Sequence, residues 1–266
     1  MKSAIKIKRV FIWLTAIIFL GVFIFFFLTS ELFIKVNNKL FCIVYDYENG
    51  ESVPSSTGVT FGIDVSHHQK KIDWKKVRFW KNKKINFVYI KATEGETYKD
   101  SFYSQNILGA KENEITVGSY HYFRTTSTVN AQFNNFIKTV DIKQQDLIPM
   151  VDVEEMSNWS ESEFHNNFQL FLDKIERYYG CKPVIYTVNR FYNRYLANRY
   201  NNYYFMIGRY GNYSPCLRKN GNWMIWQFTE EGKIDGIKGK VDIDVINKKF
   251  SLNDLLIRKK MKNKKK

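Results

Sequence analysis

The chain has 266 residues, 44% of them hydrophobic, which is enough for one large domain or two small ones and too apolar for a disordered polymer. Its formal net charge of +15 arises from 41 Lys/Arg against 26 Asp/Glu, but eleven of the basic residues fall in positions 1–9 and 258–266, which hold no acid. The remaining 30 basic residues face 26 acids, so the body is close to neutral and a basic nucleic-acid groove is excluded; the C-terminal run also lacks the aromatics on which bases would stack.

In chain order, the basic segment 1–9 precedes nineteen uncharged residues, VFIWLTAIIFLGVFIFFFL at 10–28, long enough to cross a bilayer of about 30 Å as a helix. The run ends in Phe and Leu, without the small residues of a cleavage site, so it reads as an uncleaved signal anchor. Lys2, Lys6, Lys8 and Arg9 place the N-terminus in the cytoplasm and the rest outside it, making a single-pass membrane protein. Residues 29–58, ending in VPSSTG, read as a linker, and 251–266 as a basic tail. Three cysteines, Cys42, Cys181 and Cys216, give neither a zinc pattern nor a disulfide framework; one Cys181–Cys216 bond is an option in an exported domain.

From residue 59 a regular alternation begins. Strands are expected at 60–65, 85–91, 115–123, 147–153 and 183–187, and helices at 74–82 behind the cap Asp73, at 100–112, 128–140, 161–179 and 190–198. Further strands at 203–208, 223–228 and 241–245 are separated by Gly-rich connections without helical period, so antiparallel or irregular joins are expected there. The fold class is therefore α/β: an irregular, TIM-barrel-like β/α barrel over 59–250, with eight strands and helices mainly after the first five. An open α/β sheet is the alternative.

Leu147 to Glu155 raise the chemical question. Four apolar residues lead into Asp152-Val153-Glu154, and strand alternation puts both carboxylates on one face, where they repel unless a proton or ligand intervenes. At the C-terminal rim of a barrel they would be joined by Asp64, Glu94, Tyr122, Tyr186, Gln227, Asp242 and Asp244. Asp64, Asp152, Glu154 and Asp242 could ligate magnesium or calcium, or serve a glycosidase, which needs a protonated carboxyl, a second acid and aromatic faces for sugars. Tyr122, Phe123, Tyr186, Tyr210, Trp223 and Trp226 beside the acids favour the glycosidase.

With those residues in place the chain resembles the family 25 glycoside hydrolases, the Chalaropsis-type lysozymes. The likeness is carried by FGIDVSHHQ at 61–69, FVYIKATEG at 87–95, GSYHYF at 118–123, PMVDVE at 149–154, PVIYT at 183–187, WQF at 226–228 and VDID at 241–244. It implies an N-acetylmuramidase that cuts the β-1,4 bond between N-acetylmuramic acid and N-acetylglucosamine in peptidoglycan, with retention and with no cofactor or metal. Carried over by motif, Glu154 is the general acid and base, Asp152 orients the substrate's N-acetyl group, and Asp64 and Asp242 complete the catalytic set. Tyr122, Tyr186, Trp226, Glu94 and Gln227 bind substrate. A non-catalytic peptidoglycan-binding protein on the same barrel is the alternative. Lys70 and Lys71 depart from the family's pattern at a turn where Gly is frequent.

Overall fold

The computed structural model describes residues 13, 15–26, 31–49, 51–53, 58–157, 159–219 and 221–257, in two compact units, Met1–Asn49 and Gly50–Lys266. In the first unit residues 15–26 are helical, and their large apolar side chains are exposed. Residues 10–12, 14, 27 and 28 of the expected anchor lie outside the described residues, as do both terminal basic clusters. Among the described residues no helix is long and apolar enough to cross a membrane. The stretch read as a linker contains a 19-residue helix, Glu31–Asn49, with Val36, Leu40, Ile43 and Val44 on one exposed face. That i, i+4, i+7, i+8 spacing is a helical period the mixed composition concealed.

The second unit is a closed barrel. Its strands in chain order are β1 (Phe61–Val65), β2 (Phe79–Trp80), β3 (Lys83–Glu94), β4 (Tyr98–Lys99), β5 (Thr116–Tyr122), β6 (Met150–Asp152), β7 (Val184–Val188), β8 (Tyr204–Gly208), β9 (Trp223–Gly232) and β10 (Val241–Ile246). Leaving aside the two-residue β2 and β4, which attach to β3, eight strands form the ring. They pair in parallel from β1 through β3, β5, β6, β7 and β8 to β9; β10 runs antiparallel between β9 and β1 and closes it. The irregular join expected late in the chain is thus at β8–β9, still a parallel pair, and the antiparallel one at β10.

Helices Tyr103–Glu112, Val129–Thr139 and Glu161–Tyr179 cover the outside of β3 to β7. The last begins at a capping box, Ser160 with Glu163, and stops where Gly180 takes φ 69°. Between those signals Phe164, Phe168, Phe171, Leu172, Ile175 and Tyr179 recur at helical spacing and are buried. Phe168 and Phe171 meet Phe123, just past β5, at ring distances of 5.2 and 5.1 Å. Each such ring removed from water contributes about 2–3 kcal/mol, so this packing fixes the back of the strands that carry the site.

Two expectations fail, one by local geometry and one by a long-range contact. Residues 74–82 form turns and the short strand β2 rather than a helix. Lys81 and Asn82 take φ 44° and 64°, the left-handed turn that folds β2 back on β3, and Asp73 pairs with Lys76 instead of capping a helix. The barrel also does not end at residue 250. Leu255 and Ile257 are buried, Leu256 bridges Leu147, and Ile148 N–H donates to Leu255 O at 2.8 Å, so 251–257 belong to the domain rather than to a tail. Cys181 is buried and takes part in no disulfide, so no Cys181–Cys216 bond forms.

Candidate active site

The carboxyl ends of the parallel strands open on a cleft of about 370 Å³, and five acids line it: Asp64 on β1, Asp152 at the end of β6, Glu154 just beyond it, Glu230 on β9 and Asp242 on β10. Asp64 on β1 is the register partner of Asp242 on β10, which brings two acids distant in sequence side by side. Asp152 ends β6, pinned by backbone on both flanks: Phe123 N–H donates to its carbonyl at 2.8 Å and Val153 N–H to Tyr186 O at 3.0 Å. Glu154 follows on the same side of the chain, and Glu155 turns away to pair with Arg124, as alternation requires.

Interior space is made by glycine. The ring of Phe87 fills the position that a Cβ on Gly62 would take, and a Cβ on Gly208 would lie 2.8 Å from Tyr186 Oη and 3.2 Å from Gln227 Oε1. The missing side chain at 208 lets Tyr186 donate to Gln227 Oε1 at 2.8 Å; Tyr210 donates to the same oxygen at 3.2 Å. Gln227 passes the link on, its Nε2 donating to Asp64 Oδ2 at 2.7 Å. Both tyrosine hydroxyls keep their protons, because burial pushes their pKa values up and nearby carboxylates add to it.

Burial is also the first cause of every acid's shift. It holds Asp64 well above the usual carboxylate range, with Asp242 adding repulsion and Gln227's hydrogen bond opposing it. Asp242 is pushed up to about 6 by burial and then by Glu230. Asp152 is held well above 3.8 by burial and then by the charge of Glu154. Burial raises Glu154 too, while a hydrogen bond from Asp152 opposes the shift. The pair therefore shares a proton, and the more deeply buried Asp152 is its stronger holder.

Of the expected substrate-binding residues, Tyr122, Tyr186 and Gln227 line the cleft. Trp226 does not. It is 1% exposed, donates from Nε1 to Arg209 O at 2.7 Å, and packs edge-on against Trp223 and Phe228. Next to Gln227 in a strand, it must face the other way. Glu94 also stands behind the cleft wall, accepting from Lys91 Nζ at 2.6 Å and from Arg124 Nε at 2.8 Å. Burial opposes its ionisation, but these two cations win and leave its pKa below the usual value. His121 lies outside the barrel lumen between Thr93 and Gln132; burial lowers its pKa to about 4, so it is neutral.

The cleft adds Lys91, Tyr120, His68 and Glu230 to the residues expected there. Lys91 was legible, since Phe87, Tyr89 and Lys91 alternate onto the inner face of β3. Glu230 was not, because register shifts between β9 and β10 around Ile243 change which side chains of β9 face inward. Among the described residues no cluster of three or more His, Cys, Asp or Glu is arranged to hold a metal ion.

This arrangement occurs in known proteins. The pattern of the family described as Glycosyl hydrolases family 25 matches residues 63–237. Among curated proteins, an uncharacterized protein of Escherichia coli K12, YegX, is 36% identical over 197 residues, covering 73% of this chain and 72% of that one. The autolytic lysozyme of Clostridium acetobutylicum is 30% identical over 183 residues, 69% of this chain and 54% of that one. Among solved structures, the bacterial lysozyme of Streptomyces coelicolor superposes with a TM-score of 0.65 at 27% identity, covering 78% of this chain and 99% of that one. A family match over residues 63–237, which takes in all or part of seven of the eight barrel strands and the rim acids Asp64, Asp152 and Glu154, establishes that the chain belongs to glycoside hydrolase family 25.

Proposed function

We propose that the protein is a muramidase that hydrolyses the β-1,4 bond between N-acetylmuramic acid and N-acetylglucosamine in peptidoglycan, with retention. The observation that carries the reading is the pair of buried Asp152 and half-buried Glu154 on the wall of a tyrosine-lined cleft. Glycosidic cleavage needs a carboxyl still protonated near neutral pH, and burial beside a second acid supplies one. When a glycan fills the cleft, water leaves Glu154, whose affinity for the shared proton then rises toward that of Asp152.

Glu154 gives that proton to the glycosidic oxygen as the C1–O bond breaks and the carbonyl oxygen of the substrate's own N-acetyl group, held by Asp152, bonds to C1. Glu154 then takes a proton from the water whose oxygen displaces that carbonyl oxygen at C1, and the two displacements together retain the configuration. Asp242, whose pKa of about 6 leaves it ionised near neutral pH, supplies a negative charge that stabilises positive charge developing at the anomeric carbon, and Asp64, fixed by Gln227 beside it, binds substrate. Lysozymes among the relatives support the assignment.

The test is incubation of the full-length chain with purified peptidoglycan and mass analysis of the released fragments. Fragments ending in reducing muramic acid, lost in Glu154→Gln while the circular dichroism spectrum is kept, are expected. Tight binding with intact glycan would instead establish a wall-binding module.

The uncharged run 10–28 is assigned as a membrane anchor, with residues 1–9 cytoplasmic and the barrel outside. Its support is the absence of charge over nineteen residues and the exposure of Phe19, Phe23, Phe25 and Phe26 in its described part. The protein is expected to stay with membranes after alkaline carbonate washing and to be released when residues 1–28 are deleted. Release of the intact chain by the wash would sink the assignment.

A further inference from the structure

Lys91 takes no part in the proton transfers above, yet it lines the same cleft and is 8% exposed. An ammonium this buried persists only where partners hold it. Glu94 Oε2 takes its Nζ at 2.6 Å, and the rings of Tyr122 and Tyr98 lie at 5.1 and 5.6 Å. Glu94 is fixed in turn by Arg124, which donates to its Oε1 from Nε at 2.8 Å and from Nη2 at 2.6 Å. Arg124 also covers the Tyr122 ring at 4.4 Å and pairs with Glu155. One carboxylate thus clamps two cations around one aromatic ring of the cleft.

Resting on the muramidase reading, we propose that Lys91 is a positioning residue for that reaction: held at the cleft wall by the Glu94–Arg124 clamp, its ammonium stabilises the negative charge left on the Asp152–Glu154 pair when Glu154 yields its proton. The transferred proton goes to the leaving oxygen as C1–O breaks and the N-acetyl carbonyl oxygen bonds to C1, and the charge it leaves behind lies in the cleft that Lys91 also lines.

The surrounding charges favour this role. Lys91 opposes the raised pKa of Asp152 and of Glu154, and in both it is the leading cation. From β1, Asp64 raises Asp152; beyond β6, Glu155 raises Glu154 and Arg124 lowers it. From β10, Asp242 interacts with Glu154, and from β5 and β7 the un-ionised Tyr122 and Tyr186 face the pair. On Lys91's own side, burial and then His67 lower the pKa of His68 and burial lowers that of His121, with the charge of Lys91 a lesser cause in each. Lys240, the other lysine of the cleft, pairs with Glu231 on the exposed side.

The full-length chain and three variants would be assayed on purified peptidoglycan for release of reducing ends from about pH 4 to about pH 9. Loss of the cation in Lys91→Met raises the proton affinity of the pair. Both limbs of the kcat profile then move up by roughly one pH unit, and kcat falls about tenfold with a smaller change in KM. Lys91→Arg restores the limbs. Glu94→Gln removes a negative charge while keeping the cation, and moves the limbs the opposite way. A merely structural cluster would lower activity in all three without opposed shifts, and that result overturns the proposal. Titration of the Asp152 and Glu154 carboxyl carbons by NMR in the same proteins reads the effect without turnover. Failure of cleavage by the parent chain removes the muramidase reading, whereas unchanged carboxyl titration in Lys91→Met removes the role of Lys91.

Discussion

Gln227 donates from Nε2 to Asp64 Oδ2 at 2.7 Å, the one hydrogen bond opposing the raised pKa of a carboxyl that burial and Asp242 both disfavour as an anion. Its Oε1 is occupied by Tyr186 and Tyr210, which fixes the amide's orientation. Gln227→Met keeps the volume and removes both functions, leaving two tyrosine hydroxyls and Asp64 without this partner. A loss of about 1–3 kcal/mol of stability is expected from the buried groups, and a fall in kcat/KM of about a hundredfold from the misplaced Asp64. Denaturant unfolding and fragment release on peptidoglycan measure the two; wild-type kinetics would show that Asp64 does not act through this link.

Gly208 tests the same link by sterics alone. A methyl at this position would lie 2.8 Å from Tyr186 Oη and 3.2 Å from Gln227 Oε1, so Gly208→Ala must push apart the hydrogen bond above it. No titratable group changes. Activity is expected to drop about tenfold or more, with stability lowered by about 1–2 kcal/mol and an unchanged pH profile. A shifted pH profile would mean that the alanine disturbs the acids directly.

Asp244 points to a pH dependence of stability. It is fully buried one layer below Asp242, and neither carboxyl oxygen has a hydrogen-bond partner among the described residues. Burial, then Asp64 and Asp242, hold its pKa well above 3.8. Once unfolded it ionises near the usual value, so between the two pKa values the folded state binds more protons. Its contribution is fully present below about pH 4 and is lost as pH rises toward the folded pKa. Asp242, raised to about 6, has the same sign and contributes at most about 3 kcal/mol across that interval. The Tm should therefore fall between about pH 4.5 and about pH 7, and Asp244→Asn, which cannot ionise, should flatten the fall. Calorimetry that finds a Tm rising over this range would contradict the assignment of protons.

The legibility of the chain follows from the range of the signals. Period-2 alternation is local, and it placed Asp152 and Glu154 together and sent Glu155 away. Helix ends marked by Ser160, Glu163 and Gly180 were equally local, and the helix over 161–179 is as expected. The hairpin at Lys81 and Asn82 is local too, but its left-handed turn uses two non-glycine residues and so carries no glycine signal. What else escaped depends on partners far along the chain: the docking of Leu255 and Ile257 needs the barrel's lower edge at 146–148. Register shifts at Lys91/Thr93 and around Ile243 reassign faces without any mark in composition. Alternation also carries a warning: two neighbours such as Trp226 and Gln227 cannot both face one cleft.

That warning yields a last prediction, because a core tryptophan and a sugar platform respond differently to substitution. Trp226 lies beneath Trp223 and Phe228 with its Nε1 tied to Arg209 O, the residue before Tyr210 of the cleft. Trp226→Phe keeps an aromatic face but loses the hydrogen bond and part of the buried ring. Stability is expected to fall by about 2–4 kcal/mol while KM for glycan stays within about twofold of the parent. Trp226 as a stacking platform would give the reverse, a raised KM at unchanged Tm. Thermal unfolding and a KM determination on the same preparation separate the outcomes. The first places the aromatic contact with substrate on the tyrosines instead, Tyr122, Tyr186 and Tyr210, all of which line the cleft.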